Sequence, residues 1–416
     1  MKKMAASIWV LAWVLFMVFP MAGFAAGDKT IKIGFLTPLT GPFAAEGKKM
    51  VDGAKFAIWQ INSTGGLLGK EVELITYDVG QFKPELIMSG AKKLVAQDKV
   101  ALMTTGYLGG VTDIKTMNQY DVPYIHSDTS HLAAKAVMEN PKEHQHIFQV
   151  SPEESESYRD GLYDLIVNTP WKHPNKKIAI ITMDRAYNRI ILDANLDSLK
   201  TEVSRVNSGW EVVINEMTPT GTTEWWPILS KIRKENPSVI LFNDHVITDE
   251  ASFLKQFLRN PTPSVIGMIY GPQNPDFLQL AGSDAEGLLW TGGGNAVSQN
   301  EKGKKLTEDF KKVTGIEPPP SLCLLVWGGI KLWAESVKAV GDERKYYEIC
   351  RYMKGRVWDM PEIIAHYVFD QHTNTIMVGD GLFVKPLNQI QNGKNIIISP
   401  KAHATGSFKL PRWLTK

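Results

Sequence analysis

Residues 31–69 read IKIGFLTPLTGPFAAEGKKMVDGAKFAIWQINSTGGLLG, and their pattern decides the fold. Residues 31–37 are β-rich and apolar, the composition of a strand. Pro38 and the Thr40-Gly41-Pro42 turn stop that strand. Met50, Ala54, Ile58 and Ile61 then fall on one face at helical spacing, which predicts a helix to about Ile61. Residues 62–69 (NSTGGLLG) are a glycine-rich loop that returns the chain to a second strand at 72–77. Strand, turn, helix and loop in this order form the repeating unit of a parallel α/β sheet.

The same unit recurs outward. A helix around 85–96, a strand at 100–104, a glycine turn, a helix to Tyr120 and a strand at 122–127 complete a first series. A second series begins after Ser151-Pro152, with strands predicted at 177–183, 211–217, 238–243 and 264–269. Helices fill its gaps near 189–206, 223–235 and 249–259. Residues 287–294 (GLLWTGGG) read as a strand leaving this series. Helical patterns resume at 301–314 and 321–340, separated by the rigid Pro318-Pro319-Pro320. From Val357 the tail returns to short strands and turns. Two βα series with a return between them predict two lobes, each discontinuous in sequence.

Composition narrows the function. The 416 residues are 44% apolar and 22% charged, enough for two globular cores and unlike a disordered or fibrous chain. The formal charge is +2, but Lys2 and Lys3 sit in a leader; without them Lys and Arg number 44, equal to Asp and Glu. No basic field exists to hold nucleic acid. Lys2 and Lys3, the apolar residues 7–19, Pro20 and the small residues Gly23, Ala25 and Ala26 read as a secretory signal, cut after Ala25 or Ala26. An uncleaved anchor is the rival reading, because residues 4–27 carry no charge. The two cysteines, Cys323 and Cys350, form either a disulfide after export or two buried thiols.

Residues 31–69 resemble the opening of periplasmic binding proteins for branched-chain amino acids, the extracytoplasmic receptors of that class of ABC importers. Gly221-Thr222-Thr223-Glu224-Trp225, Lys231-Ile232-Arg233 and residues 277–287 (FLQLAGSDAEG) add to the likeness, which runs from Thr30 to Val340. It implies the type I fold: two doubly wound parallel-sheet α/β lobes joined by three hinge crossovers, near Gln149, Gly292 and Gly355. The first lobe would hold 27–149 plus 293–355, and the second 150–292 plus 356–416. It implies a monomer in the periplasm that captures a small-molecule ligand and passes it to an inner-membrane ABC permease. Neither cofactor nor metal is implied.

In open α/β sheets, ligands bind beyond the carboxyl ends of the strands. Similar proteins hold a ligand carboxylate with the loops matching 105–109 and 128–130, which points to Thr105, Tyr107, Gly109, Asp128, Thr129 and Ser130. In the second lobe Tyr187 stands where the family usually has a pocket tyrosine, and Asp244, His245 and Tyr270 follow strands; these are the candidates for reading the rest of the ligand. The departures are informative. Members that bind α-amino acids commonly place an acid where this chain has Ile269-Tyr270-Gly271. Tyr107 replaces the usual serine or threonine, and Glu46 stands where an aromatic residue is frequent. Such a pocket suits an aromatic acid, an amide or another small polar metabolite.

Plainer roles compete. Thr129 and Ser130 suit a helix cap, His245 a polar loop, and Trp225 and Trp226 helix packing. His144 and His146 are metal-like only in isolation. Residues 292–294 lack the Lys-Ser/Thr of a phosphate loop, and no GxSxG, HExxH or dinucleotide fingerprint occurs. A sensory subunit of the same fold and an enzyme using the same cleft remain the rivals to transport.

Overall fold

The computed structural model describes residues 29–108, 111–128, 131–152, 159–292, 296–379 and 382–415. The leader, Gly109, Thr129 and Ser130 lie outside the described residues. The first series forms a five-stranded parallel sheet from β1 (Thr30–Thr37), β2 (Glu71–Asp78), β3 (Leu102–Thr105), β4 (Tyr124–His126) and β5 (Ile147–Gln149), in the order β2-β1-β3-β4-β5. The second forms a seven-stranded sheet. Its parallel strands are β6 (Lys177–Met183), β7 (Glu211–Thr218), β8 (Val239–Asn243), β9 (Val265–Ile269) and β10 (Leu289–Thr291). A small hairpin, β11 (Trp358–Met360) and β12 (Ala365–Tyr367), follows the helices of the return. Then β13 (Leu387–Gln391) and β14 (Lys394–Ser399) extend the second sheet in antiparallel fashion. The order there is β14-β13-β10-β9-β8-β6-β7. Central strands such as VILFN in β8 and VIGMI in β9 are buried throughout, as helices on both faces of a parallel sheet require.

The two parts of the first lobe meet at helix Ser321–Val340, which packs along helix Ala44–Ser63. The backbones approach so closely that a Cβ on Gly53 would fall 2.2 Å from the Cys323 carbonyl oxygen. Trp327 donates its Nε1–H to Gln60 at 2.7 Å, which satisfies the one polar atom of a buried ring. Gly341 ends the helix in the left-handed conformation, its N–H closing on Val337 O at 2.8 Å.

The third crossing departs from expectation. The sequence reading gives 356–416 to the second lobe, but Trp358, Met360, Tyr367, Phe369, Ile376 and Phe383 share the apolar core of Phe148 and Trp327. Residue 149, at the edge strand β5, accepts from Ile376 N at 3.0 Å and donates to Asn374 O at 2.9 Å. An edge strand has free N–H and C=O groups, and residues 374–376 take them up. The chain joins the second sheet only at β13.

Cys323 and Cys350 are free thiols, not a disulfide. The Cys323 thiol donates to Lys49 O at 3.0 Å, while burial pushes Cys350 up to about 12. Denatured, unreduced protein is expected to return both thiols to a colorimetric titration; none would restore the disulfide. Gly53→Ala is expected to cost about 2–3 kcal/mol in urea unfolding, because two backbones must separate. Gly315→Ala, at a helix end with φ 77° and open space around it, should cost about 1–2 kcal/mol, from the left-handed backbone alone.

Candidate functional site

The carboxyl ends of both sheets turn toward one cleft. After β1 the loop delivers Phe43 and the first turn of helix Ala44–Ser63 delivers Glu46; Tyr107 follows β3 and Asp128 follows β4. From the second sheet, Arg185 and Tyr187 follow β6, Asp244 and His245 follow β8, and Tyr270 and Gly271 follow β9. The two sets touch. The His245 ring stacks on Phe43 at 5.8 Å and meets Tyr107 edge-on at 6.0 Å between centroids. Tyr187 and Tyr270 share a 2.7 Å hydrogen bond between hydroxyls, and both rings stand edge-on to His245 at 6.0 and 6.4 Å. Across the cleft, Asn274 Nδ2 donates to Glu46 Oε1 at 3.2 Å, and Ser321 pairs with Gln273. The Arg185 guanidinium covers the Phe43 ring at 5.9 Å. What remains open is a cavity of about 10 Å³, lined by Glu46, Lys49, Tyr107, His245, Tyr270 and Asn274 among others.

The backbone is strained where the cleft closes. Tyr107 has φ 63° and Tyr270 has φ 55° with ψ −62°, conformations that cost a non-glycine residue. Surrounding structure holds them: Tyr270 N donates to Thr291 O at 3.1 Å, and its hydroxyl reaches Asp128 from the opposite sheet. Behind Asp128 stands His126. Burial works against a charge on this ring, yet Asp113, 3.1 Å from Nε2, holds its pKa above the usual value. Tyr124 donates to the same Asp113 carboxylate, and Thr105 sits beside Tyr124, one layer behind the cleft.

Burial dominates the electrostatics. It raises Glu46 to about 7, only partly offset by the Asn274 hydrogen bond and by Lys49. It raises Asp244 to about 7 and Asp128 to about 6. Glu250, fully buried, is raised well above the ordinary value, first by burial and then by Asp244 and Glu46. Burial also lowers His245 to about 3, with Arg185 adding to the effect, so the ring is neutral. Among the described residues, no three His, Cys, Asp or Glu side chains stand where a metal ion could be held.

Two α/β sheets with facing carboxyl ends match a known architecture, and the sequence profile of periplasmic binding proteins fits residues 30–378. The chain belongs to that family. A Pseudomonas aeruginosa relative named leucine-, isoleucine-, valine-, threonine- and alanine-binding protein is 25% identical over 338 residues, covering 79% of this chain and 84% of that one. A Silicibacter pomeroyi structure assigned to branched-chain amino acid ABC transport superposes with a TM-score of 0.80 at 23% identity, covering 92% of this chain and all of that one. A Rhodopseudomonas palustris (R. palustris) solute-binding protein in complex with benzoate gives 0.70 at 18% identity, over 91% and 98% of the two chains. The binding-protein fold is thus shown as well as the family. No helix among the described residues is long and apolar enough to cross a membrane.

Within this family frame, Glu46, Tyr107, Asp128, Tyr187, His245 and Tyr270 come together at the cleft, and Asp244 lies directly behind His245. Thr105 is one layer removed. Phe43 and Asn274 were not singled out by the sequence, although both shape the cleft. Asn274 carried a signal: the Asn-Pro-Asp run marks a helix start, and its side chain caps Asp276 N at 3.0 Å. That cap uses the oxygen and leaves the nitrogen for Glu46. Trp225 is core, 2.8 Å from Ser252 through Nε1, and Trp226 is half exposed. His144 and His146 bond backbone carbonyls, Asn140 O at 2.9 Å and Met117 O at 3.1 Å.

Glu46 has an ordinary value of 4.5 when unfolded and about 7 in the closed cleft. The folded protein therefore holds the extra proton between these values and loses stability as pH rises through them. Relative to the parent, Glu46→Gln is expected to gain roughly 2–3 kcal/mol between pH 5 and pH 8 in chemical unfolding. A difference that does not change with pH would place Glu46 in water rather than in the cleft.

Proposed function

We propose that this chain captures a small organic solute between its two sheets and delivers it to an ABC permease in the membrane. It would work as a periplasmic monomer, freed of residues 1–26 after export. The observation that carries this reading is the wall of rings from both sheets around one cavity at the carboxyl ends of their strands. The cavity is too small for a metabolite as it stands. Entry therefore requires the sheets to part, and the solute then takes over contacts that now run between Phe43, Tyr107 and His245. Reclosure excludes water and signals occupancy to the permease through the changed spacing of the two lobes, a hinge motion.

Nothing in this cycle requires a covalent step. The neutral His245 and the paired tyrosines offer ring faces and hydroxyls, groups that hold a solute rather than transform it. The named ligands of the relatives, aliphatic amino acids and benzoate, bracket the size expected.

The test is a thermal-shift screen of ligand-stripped protein against amino acids, aromatic carboxylates, amides and amines. A solute at about a hundred times its Kd adds roughly 2.7 kcal/mol, a clear rise in Tm. His245→Ala is expected to weaken the hit about tenfold or more, read as the loss of ligand-induced shift relative to the variant's own unliganded Tm. Conversion of the hit to a product, instead of its recovery intact, would overturn the transport reading.

A further inference from the structure

The closed cleft gathers more buried acid than buried base. Glu46 is 8% exposed, Asp128 9%, Asp244 1% and Glu250 0%, and they come from both sheets. We propose that the solute is an organic cation, an ammonium, amidinium or guanidinium, seated against Glu46 and the aromatic rings of the cleft. This rests on the solute-binding reading above and narrows its ligand class.

The charges facing the cavity do not balance without such a ligand. Lys49, on the helix that carries Glu46, is the cation in the lining among the described residues, and it is partly exposed. Arg185 is exposed and lies over Phe43. His126 is engaged by Asp113, and His245 is neutral. Asp249 and Asp276 add acid from the helices behind. A carboxylate solute would add one more buried acid to a group that burial already keeps protonated, with little cation to meet it.

Acceptor oxygens also stand without donors. Asp244 gives one oxygen to the N–H groups of His245 and Val246, at 2.7 and 2.9 Å, while its other oxygen has no partner among the described residues. The Gly271 N–H is turned to the Glu250 carboxyl, which besides has no donor of ordinary geometry among the described residues. Glu250 presses directly behind the cavity wall: a Cβ on Gly271 would fall 1.3 Å from its Oε2, so a side chain there would push the carboxyl aside. Buried carboxyls in this state hold protons, and a cation brought next to them makes ionisation favourable again. Tyr107 and Tyr270 line the same cavity, and aromatic rings attract a cation through their faces. The apolar ring surface beside Glu46 suits the carbon part of an organic cation.

The prediction separates cleanly from its rivals by using solutes of one shape and three charges. Benzamidinium, benzamide and benzoate form one set; isobutylammonium, isobutyramide and isobutyrate form a second, with leucine as a zwitterion. Calorimetry at pH 6, 7 and 8, in two buffers of different ionisation heat, reads affinity and proton exchange together. The cation of a set is expected to bind about tenfold or more tighter than its amide or acid. It should release protons at pH 6 and gain up to about tenfold in affinity per pH unit toward pH 7, the range in which Glu46 and Asp244 ionise. Glu46→Gln, which keeps the shape and removes the charge, should erase most of that preference without lowering the unliganded Tm. Tighter binding of an amide, an acid or leucine, or proton uptake on binding, would overturn the charge assignment and leave solute capture standing. Failure of these solutes and of the whole screen to stabilise the protein would overturn both.

Discussion

Helix Ser321–Val340 is buried over most of its length, and that constraint organises the molecule. An apolar helix of this kind must be covered on every side. Helix Ala44–Ser63 covers one side, through the close approach at Gly53, and Ile125 and Val150 meet it at Gly329. Residues 358–383 cover another, with Tyr367 against Gly328. The chain can satisfy this only by leaving the first sheet, building the second, and coming back. The discontinuous lobes and the crossovers between them follow from where one helix has to be buried.

Those crossovers place the carboxyl ends of two parallel sheets face to face. Strand ends are where loops are free to vary and where helix starts leave backbone N–H groups unpaired. The cleft therefore collects residues that would be awkward elsewhere: tyrosines with positive φ, a neutral buried histidine and buried carboxyl oxygens short of donors. Each costs stability on its own. Their contacts across the cleft hold the closed form, through Tyr187, Tyr270 and Asp128 on one side and Glu46 with Asn274 on the other. A site that is strained and under-partnered when closed on itself is one a ligand can improve.

Much of the fold was legible. The alternation of β-rich runs and helical periodicity marked nearly every strand of the two sheets, and the helices Glu301–Thr314 and Ser321–Val340 fall where the pattern puts them. The short β5 escaped, because three residues carry too little periodicity to register. The tail from 358 to 383 was assigned to the wrong lobe for a related reason. Its short apolar runs say that it is buried but not against which sheet, and the deciding partner is the free edge of β5. At the site, the family likeness pointed to Tyr107, Asp128 and Tyr187, and position after a strand end to His245 and Tyr270; the structure brings these five side chains to one cleft. Phe43 was missed because an aromatic residue in a turn carries no mark of what it will stack on.

The sequence by itself determined the class of fold, the order of its strands along the chain and the loops from which a binding site could be made, since these depend on local periodicity and turn chemistry. Only the tertiary structure decided which side chains share a desolvated space. Glu46 and Asn274 are 228 positions apart and become partners across the cleft. Glu250 sits on a helix whose pattern suggests an ordinary amphipathic face, yet it is fully buried against Gly271 with Asp244 and Glu46 nearby. Charge, protonation and ligand preference are set by burial and by neighbours distant in sequence, and no local pattern records either one.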